Sequence, residues 1–228
     1  MTNKQSLRFA VILAGCGNKD GAEIHESVLT ILSIDRAGCQ YQCFAPDVPQ
    51  GRVLNFLTNE VMKEKRNVLL ESARIARSKI KPLSDFDQKD FDILVMPGGS
   101  GVAYNLCTFA LDGDRMSVLP QVESSVRAMH AAGKPIGALC ISPVIIAHVL
   151  KNVSVTFGND EKINAIFQKS GTKTVNADAR SIVIDDDNKI VTTPCYMLDA
   201  RISEISEGID KLIQQLISFC HSRASGNP

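Results

Sequence analysis

The stretch Pro135-Ile136-Gly137-Ala138-Leu139-Cys140-Ile141-Ser142-Pro143 decides how the chain is read. Residues 135–139 form an apolar run of strand length, and residues 143–150 read as a helix, so Cys140 sits at the bend between them. A sharp strand-to-helix turn exposes the residue at its apex and accepts only small residues two positions to either side. Ala138 and Ser142 meet that requirement. The bend also leaves free backbone N–H groups at the helix N-terminus, which favour a thiolate. Cys140 is therefore a candidate nucleophile of lowered pKa that needs no metal.

Outward from this turn, apolar runs of strand length alternate with helix-periodic stretches, the signature of an α/β fold with a mainly parallel sheet. Strands are expected at residues 9–14, 41–45, 91–96 and 153–157, besides 135–139. Helices are expected at 24–37, 67–77, 119–132, 161–170 and 202–220, besides 143–150. Residues 182–185 and 189–192 flank Asp186-Asp187-Asn188, a hairpin signal. No linker, repeat or low-complexity tract interrupts the pattern, so residues 1–220 are expected to form one domain and the polar residues 221–228 a frayed tail.

Composition narrows the function. Lys plus Arg and Asp plus Glu both number 25 in the 228 residues, so the chain has no bulk charge to gather nucleic acid or anionic lipid. With 44% of residues apolar it is neither a disordered scaffold nor a membrane-spanning chain. The 7 cysteines are scattered and contain no C-x-x-C pair, which suits buried thiols in a reducing compartment. Leu13-Ala14-Gly15-Cys16 is similar to a lipoprotein cleavage box, but the apolar run before it is shorter than the roughly 7–15 residues of a signal core. A cytoplasmic protein is expected.

Gly15-Cys16-Gly17-Asn18-Lys19-Asp20-Gly21 lies between the first strand and the first helix, where a dinucleotide fingerprint would fall. Asp20 takes the third glycine position, and Glu23 and Glu26 put negative charge where a phosphate belongs, so no nucleotide is expected. Acidic residues there stabilise a helix N-terminus. They can also hold carboxylates at the edge of the sheet where open α/β folds place their sites. Pro97-Gly98-Gly99 follows another buried strand. Its glycines allow close backbone approach, and the N–H groups of Gly99 and Ile141 together make a candidate oxyanion hole. Glu26, Gly99 and Cys140 each follow a parallel strand, so all three converge on one edge. Clusters of Cys and His with metal-ligand spacing are missing, and no metal is expected.

Further segments join these: Glu23-Ile24-His25-Glu26, Cys43-Phe44-Ala45-Pro46-Asp47, Cys140-Ile141-Ser142-Pro143 and Asp187-Asn188-Lys189-Ile190-Val191-Thr192-Thr193-Pro194. Taken together, the chain resembles the PfpI and class I glutamine amidotransferase-like superfamily. Within it, the chain is most similar to the ElbB-like branch of glyoxalases associated with isoprenoid biosynthesis. The resemblance implies a flavodoxin-like three-layer sandwich. It implies Cys140 as the elbow nucleophile, Glu26 as the carboxylic acid bonded to its thiolate, and Glu23 as a second acidic position of lesser weight. It also implies Gly99 and Ile141 as the oxyanion hole, and a homodimer.

The chain departs from relatives at two places. Protease-like members follow the nucleophile with His, where this chain has Ile141. Glutamine amidotransferases carry a late His and Glu, where this chain reads Thr193-Pro194-Cys195-Tyr196. His130, His148 and His221 fall away from the expected edge, and His25 should point away from its neighbour Glu26 on the helix. A Cys–Glu pair remains, which suits a cofactor-free conversion of small dicarbonyls such as glyoxal and methylglyoxal to 2-hydroxy acids. The alternatives are a redox-sensing or ligand-binding protein with a reactive Cys140, and an amidotransferase-like subunit.

Overall fold

The computed structural model describes residues 6–224. Its first half comprises β1 (Arg8–Ile12), α1 (Ile24–Arg36), β2 (Gln40–Ala45), α2 (Val68–Ile75), β3 (Ile80–Pro82) and β4 (Ile93–Met96). Then come α3 (Phe109–Asp112), α4 (Pro120–Ala131), β5 (Ile136–Leu139), α5 (Pro143–Leu150), β6 (Ser154–Val155) and α6 (Glu161–Gln168). The chain closes with β7 (Lys173–Thr174), β8 (Val183–Asp185), β9 (Ile190–Thr193) and α7 (Ile202–Ala224).

Seven strands form one sheet in the order β3-β2-β1-β4-β5-β9-β8. All neighbours are parallel except β8, which runs antiparallel to β9 across the expected hairpin. Helix α1 packs against α2 and α7, and α4 packs against α5. Right-handed crossovers place these two groups on opposite faces of the sheet. The result is the three-layer, flavodoxin-like α/β sandwich anticipated above. Strands β4, β5 and β9 are buried at every residue, because helices cover both faces. On α7, Ile205, Ile209, Leu212, Ile213 and Leu216 are fully buried over β5 and β9. Each such side chain contributes about 1.5–3 kcal/mol relative to exposure.

Three expectations differ from what is observed. The strand expected at 153–157 shrinks to β6, which pairs with β7 in a separate two-stranded ribbon. Helix α2 stops at Ile75 because Arg77 and Ser78 adopt left-handed backbone conformations (φ 50° and 64°). Helix α7 continues to Ala224, past the helix end expected at 220. Residues 225–228 lie outside the described residues. Among the described residues no helix is long and apolar enough to cross a membrane.

Strand order reverses direction at β1, whose neighbours are β2 and β4. Parallel strands β1, β4, β5 and β9 all end on one edge beside this switch point, where open α/β sheets form their clefts. The turns leaving those strands build the site.

Candidate active site

Cys140 follows β5 directly and adopts φ +57°. A non-glycine residue in that region is strained, by about 1–3 kcal/mol, and persists only where the surroundings hold it. Two bonds do so. The Cys140 N–H donates to the Thr193 carbonyl (2.9 Å), which extends the β5–β9 ladder by one residue. The Ser142 hydroxyl donates to the Pro97 carbonyl (2.6 Å), which ties the elbow to the turn after β4.

The turn after β4 comes so close that only glycine fits. A Cβ on Gly98 would lie 2.3 Å from Cys140 Cβ, 2.7 Å from Glu26 Oε2 and 2.9 Å from Cys140 Sγ. The thiol and the Glu26 carboxyl therefore flank the same spot. Gly99 has φ +100°, and a Cβ there would sit 2.3 Å from the Glu23 nitrogen. The backbone N–H groups of Gly99 and Ile141 are near enough to the Cys140 sulfur to favour its charged form.

Glu26 stands in the first turn of α1 and is wholly buried. Its Oε2 accepts from the Gly98 N–H (2.9 Å) and its Oε1 from the Tyr196 N–H (3.3 Å). Desolvation by burial, then the charge of Glu23, push its pKa up to about 7, against the lowering effect of those bonds. Glu23 caps α1: its Oε2 accepts the Glu26 N–H (2.6 Å). Its side chain also lines the cleft.

The lowered thiol pKa expected from the helix N-terminus is corrected. Cys140 is pushed well above the usual thiol value, first by burial and then by the charge of Glu26. The Gly99 and Ile141 N–H groups pull the other way and do not prevail. While Glu26 keeps its proton, the repulsion is absent. The two groups therefore compete for protons as a pair rather than titrating singly.

All five residues singled out in the sequence thus meet at one place. Glu23, Gly99, Cys140 and Ile141 line a cleft of about 770 Å³, and Glu26 lies buried behind the thiol. The cleft also holds residues that were not anticipated. Tyr196 lines it, and its hydroxyl pairs with His25 Nδ1 at 3.0 Å. His25, read from the sequence as near the site but pointing away from Glu26, lines the cleft. Tyr104 and Ala103 enter from a π-helical turn, Val102–Leu106. Lys19 and Arg52 complete the rim. Arg52 belongs to the irregular stretch 46–67, and a long connection without regular structure is itself a signal of function. Asp20, at the broken glycine position, is a tether: its Oδ2 accepts the Leu54 N–H (2.8 Å) and holds that stretch to the first turn. His130 bonds Asn188 and His148 borders a different, smaller cavity. Among the described residues no group of three or more His, Cys, Asp or Glu is placed to hold a metal ion.

Comparison with known proteins matches residues 16–197 to the DJ-1/PfpI family. The chain is 39% identical over 226 residues to a Homo sapiens protein named glutamine amidotransferase-like class 1 domain-containing protein 3, mitochondrial. That match covers 95% of this chain and 84% of the relative. It is 40% identical over 222 residues to the Rattus norvegicus ES1 protein homolog, mitochondrial, covering 93% of this chain and 84% of the relative. A crystal structure of an isoprenoid biosynthesis protein with amidotransferase-like domain from Ehrlichia chaffeensis superposes with a TM-score of 0.89 at 38% identity, covering 94% of this chain and 100% of that one. The expectation of a cytoplasmic protein is overturned by these names, since the human, rat and Danio rerio relatives are each called mitochondrial. Measuring a secretory signal core tests only the secretory route; targeting to organelles is read from other features.

Proposed function

The chain belongs to the DJ-1/PfpI family, and from that premise we propose that it is a cofactor-free glyoxalase acting through Cys140 and Glu26. One observation carries the reading. A buried carboxyl with a pKa of about 7 and a thiol flank the same glycine, with the Gly99 and Ile141 N–H groups near enough to favour negative charge on the sulfur. A carboxyl of that pKa both gives and takes a proton at neutral pH, which is what a general acid–base needs. Residues 193–196 hold no histidine where a triad would take one, so hydrolysis of amides lacks its usual proton shuttle.

The reaction balances with water as the sole co-reactant. The Cys140 sulfur bonds to the aldehyde carbon of a 2-oxoaldehyde, and the carbonyl oxygen takes up the thiol proton, giving a hemithioacetal. Glu26 removes the proton on that carbon, and the adjacent carbonyl oxygen takes up a proton from water to give an enediol. Return of the proton from Glu26 to the second carbon, with loss of the first carbon's hydroxyl proton to water, gives a 2-hydroxy thioester. The N–H groups of Gly99 and Ile141 support the oxyanion at the carbon attacked. Water then cleaves the carbon–sulfur bond, releasing the 2-hydroxy acid and the free thiol. Oxidation of one carbon is matched by reduction of its neighbour. The Ehrlichia chaffeensis relative is named an isoprenoid biosynthesis protein, which supports an association of the activity with that metabolism.

Steady-state turnover of glyoxal and methylglyoxal tests this reading. The wild type should form glycolate and lactate over many cycles, and Cys140→Ala should form neither. Turnover by Cys140→Ala at the wild-type rate would refute it. So would stoichiometric modification of Cys140 without turnover, which would favour a redox-sensing or ligand-binding role.

A further inference from the structure

The cleft beside Cys140 carries two cations that this chemistry does not use. Lys19 and Arg52 both line it, and among the described residues neither forms an ion pair with a carboxylate. Arg52 is nevertheless fixed in position. Its guanidinium stacks 3.7 Å from the centre of the Tyr104 ring. Its Nη1 donates to the Tyr104 hydroxyl (2.8 Å) and its Nη2 to the Lys19 carbonyl (2.6 Å), while Nε is buried without a protein acceptor. Every partner is neutral, so the charge is held but not neutralised. Lys19 is likewise held by the Phe56 carbonyl and the Asn59 side-chain oxygen. Asp20 feels the Arg52 charge, but that carboxylate is tied to Leu54. The carboxylate on the cleft wall, Glu23, is engaged in capping α1.

A guanidinium fixed by stacking has already lost the rotamer freedom that binding would otherwise cost. It also presents a donor fork matched to carboxylate and phosphate. We propose that Arg52, with Lys19 beside it, is an anion-binding subsite of this cleft, and that the carbonyl compound bound there carries a carboxylate or a phosphate group. The inference rests on Cys140 as the nucleophile of the same cleft. Neutral dicarbonyls would then reach the thiol without filling the site.

Alkylation of Cys140 tests the subsite without relying on turnover. Labelling rates with iodoacetate and iodoacetamide are read by mass spectrometry of the Cys140 peptide and compared with the same ratio on glutathione. The wild-type iodoacetate-to-iodoacetamide ratio should exceed that of glutathione by at least about tenfold, the effect of one charge-assisted contact. Arg52→Gln should bring the ratio down to the glutathione value, and Arg52→Lys should retain part of it. Inorganic phosphate and succinate, in separate arms, should slow iodoacetate on the wild type; whichever protects at lower concentration identifies the group. A wild-type ratio equal to that of glutathione, with no protection by either anion, would overturn the subsite and leave the nucleophile standing. Failure of both reagents to label Cys140 would overturn the nucleophile itself.

Discussion

Alanine at position 98 adds one methyl group between the two reacting side chains. Built on the existing backbone, that methyl lies 2.3 Å from Cys140 Cβ, while ordinary contact begins at 3.4 Å. Either the elbow or the turn after β4 must retreat by about 1 Å, a misplacement that costs on the order of 10²-fold in rate when reacting groups are involved. The same methyl lies 2.7 Å from Glu26 Oε2, so the carboxyl must move as well. Overpacking of this kind also costs roughly 1–3 kcal/mol of stability, and a chain of this size loses about 2–4 °C of Tm per kcal/mol. Turnover of methylglyoxal, labelling of Cys140 and thermal unfolding are measured together on Gly98→Ala. Gly38→Ala serves as the reference, since that position has φ +70° but nothing within 4 Å, so it carries backbone strain without touching the site. The expected result is a modest and comparable loss of Tm in both, with a collapse of rate confined to Gly98→Ala. Wild-type turnover in Gly98→Ala would refute the claim that thiol and carboxyl close on this spot.

Glu26→Gln should lower turnover by about 10²–10⁴, the usual worth of a positioned acid–base. It should also change the pH dependence of stability. The folded pKa of about 7 lies above the ordinary 4.5, so the native state holds this proton more tightly than the unfolded chain. The contribution is fully present below about 4.5 and is lost as pH rises through 7, by on the order of 3 kcal/mol. Denaturant titrations across that window should show a decline in the wild type that Glu26→Gln lacks; parallel curves would count against it. Glu23→Ala removes the cap of α1 and should cost about 0.5–2 kcal/mol by chemical unfolding, with a smaller kinetic effect than Glu26→Gln. Cys43 is fully buried, with its thiol pushed up to about 12 by desolvation, so Cys43→Ala should lower Tm while leaving the methylglyoxal rate intact.

The elbow was legible because its requirements are local. A run of apolar residues, two small neighbours and a following proline are all written within residues 135–143. The α/β alternation followed for the same reason, since each strand and helix carries its own period. Strand β3 escaped notice because it is three residues at the edge of the sheet, with Lys81 in the middle and a proline at its end. Arg52 and Tyr196 escaped because neither belongs to a motif that singles it out; only the closure of separate turns brings them to Cys140. Asn105 is the clearest case. Its amide joins the Ala14 and Asp20 carbonyls to the Gly51 N–H, stitching three turns of the edge that are far apart along the chain. The direction of the thiol shift was misjudged for a related reason. A helix N-terminus is visible locally, whereas burial and a carboxylate from another helix are not.

Glu26 uses both of its oxygens toward the backbone, one to Gly98 and one to Tyr196. Those donors are amides, which do not titrate and do not rotate. The carboxyl is therefore clamped in one plane, and each oxygen has one lone pair already occupied. A proton arriving on Glu26 can bind only to a lone pair that the amides leave open. Oε2 and the Cys140 sulfur both stand within 3 Å of the point where a Cβ on Gly98 would lie. The four proton positions of an ordinary solvated acid are thus reduced to one on each oxygen, so the direction of travel is set before any substrate arrives. Asp at this position would keep the acidity but shorten the arm by one methylene, and so lose one amide or the other and with it that fixed direction.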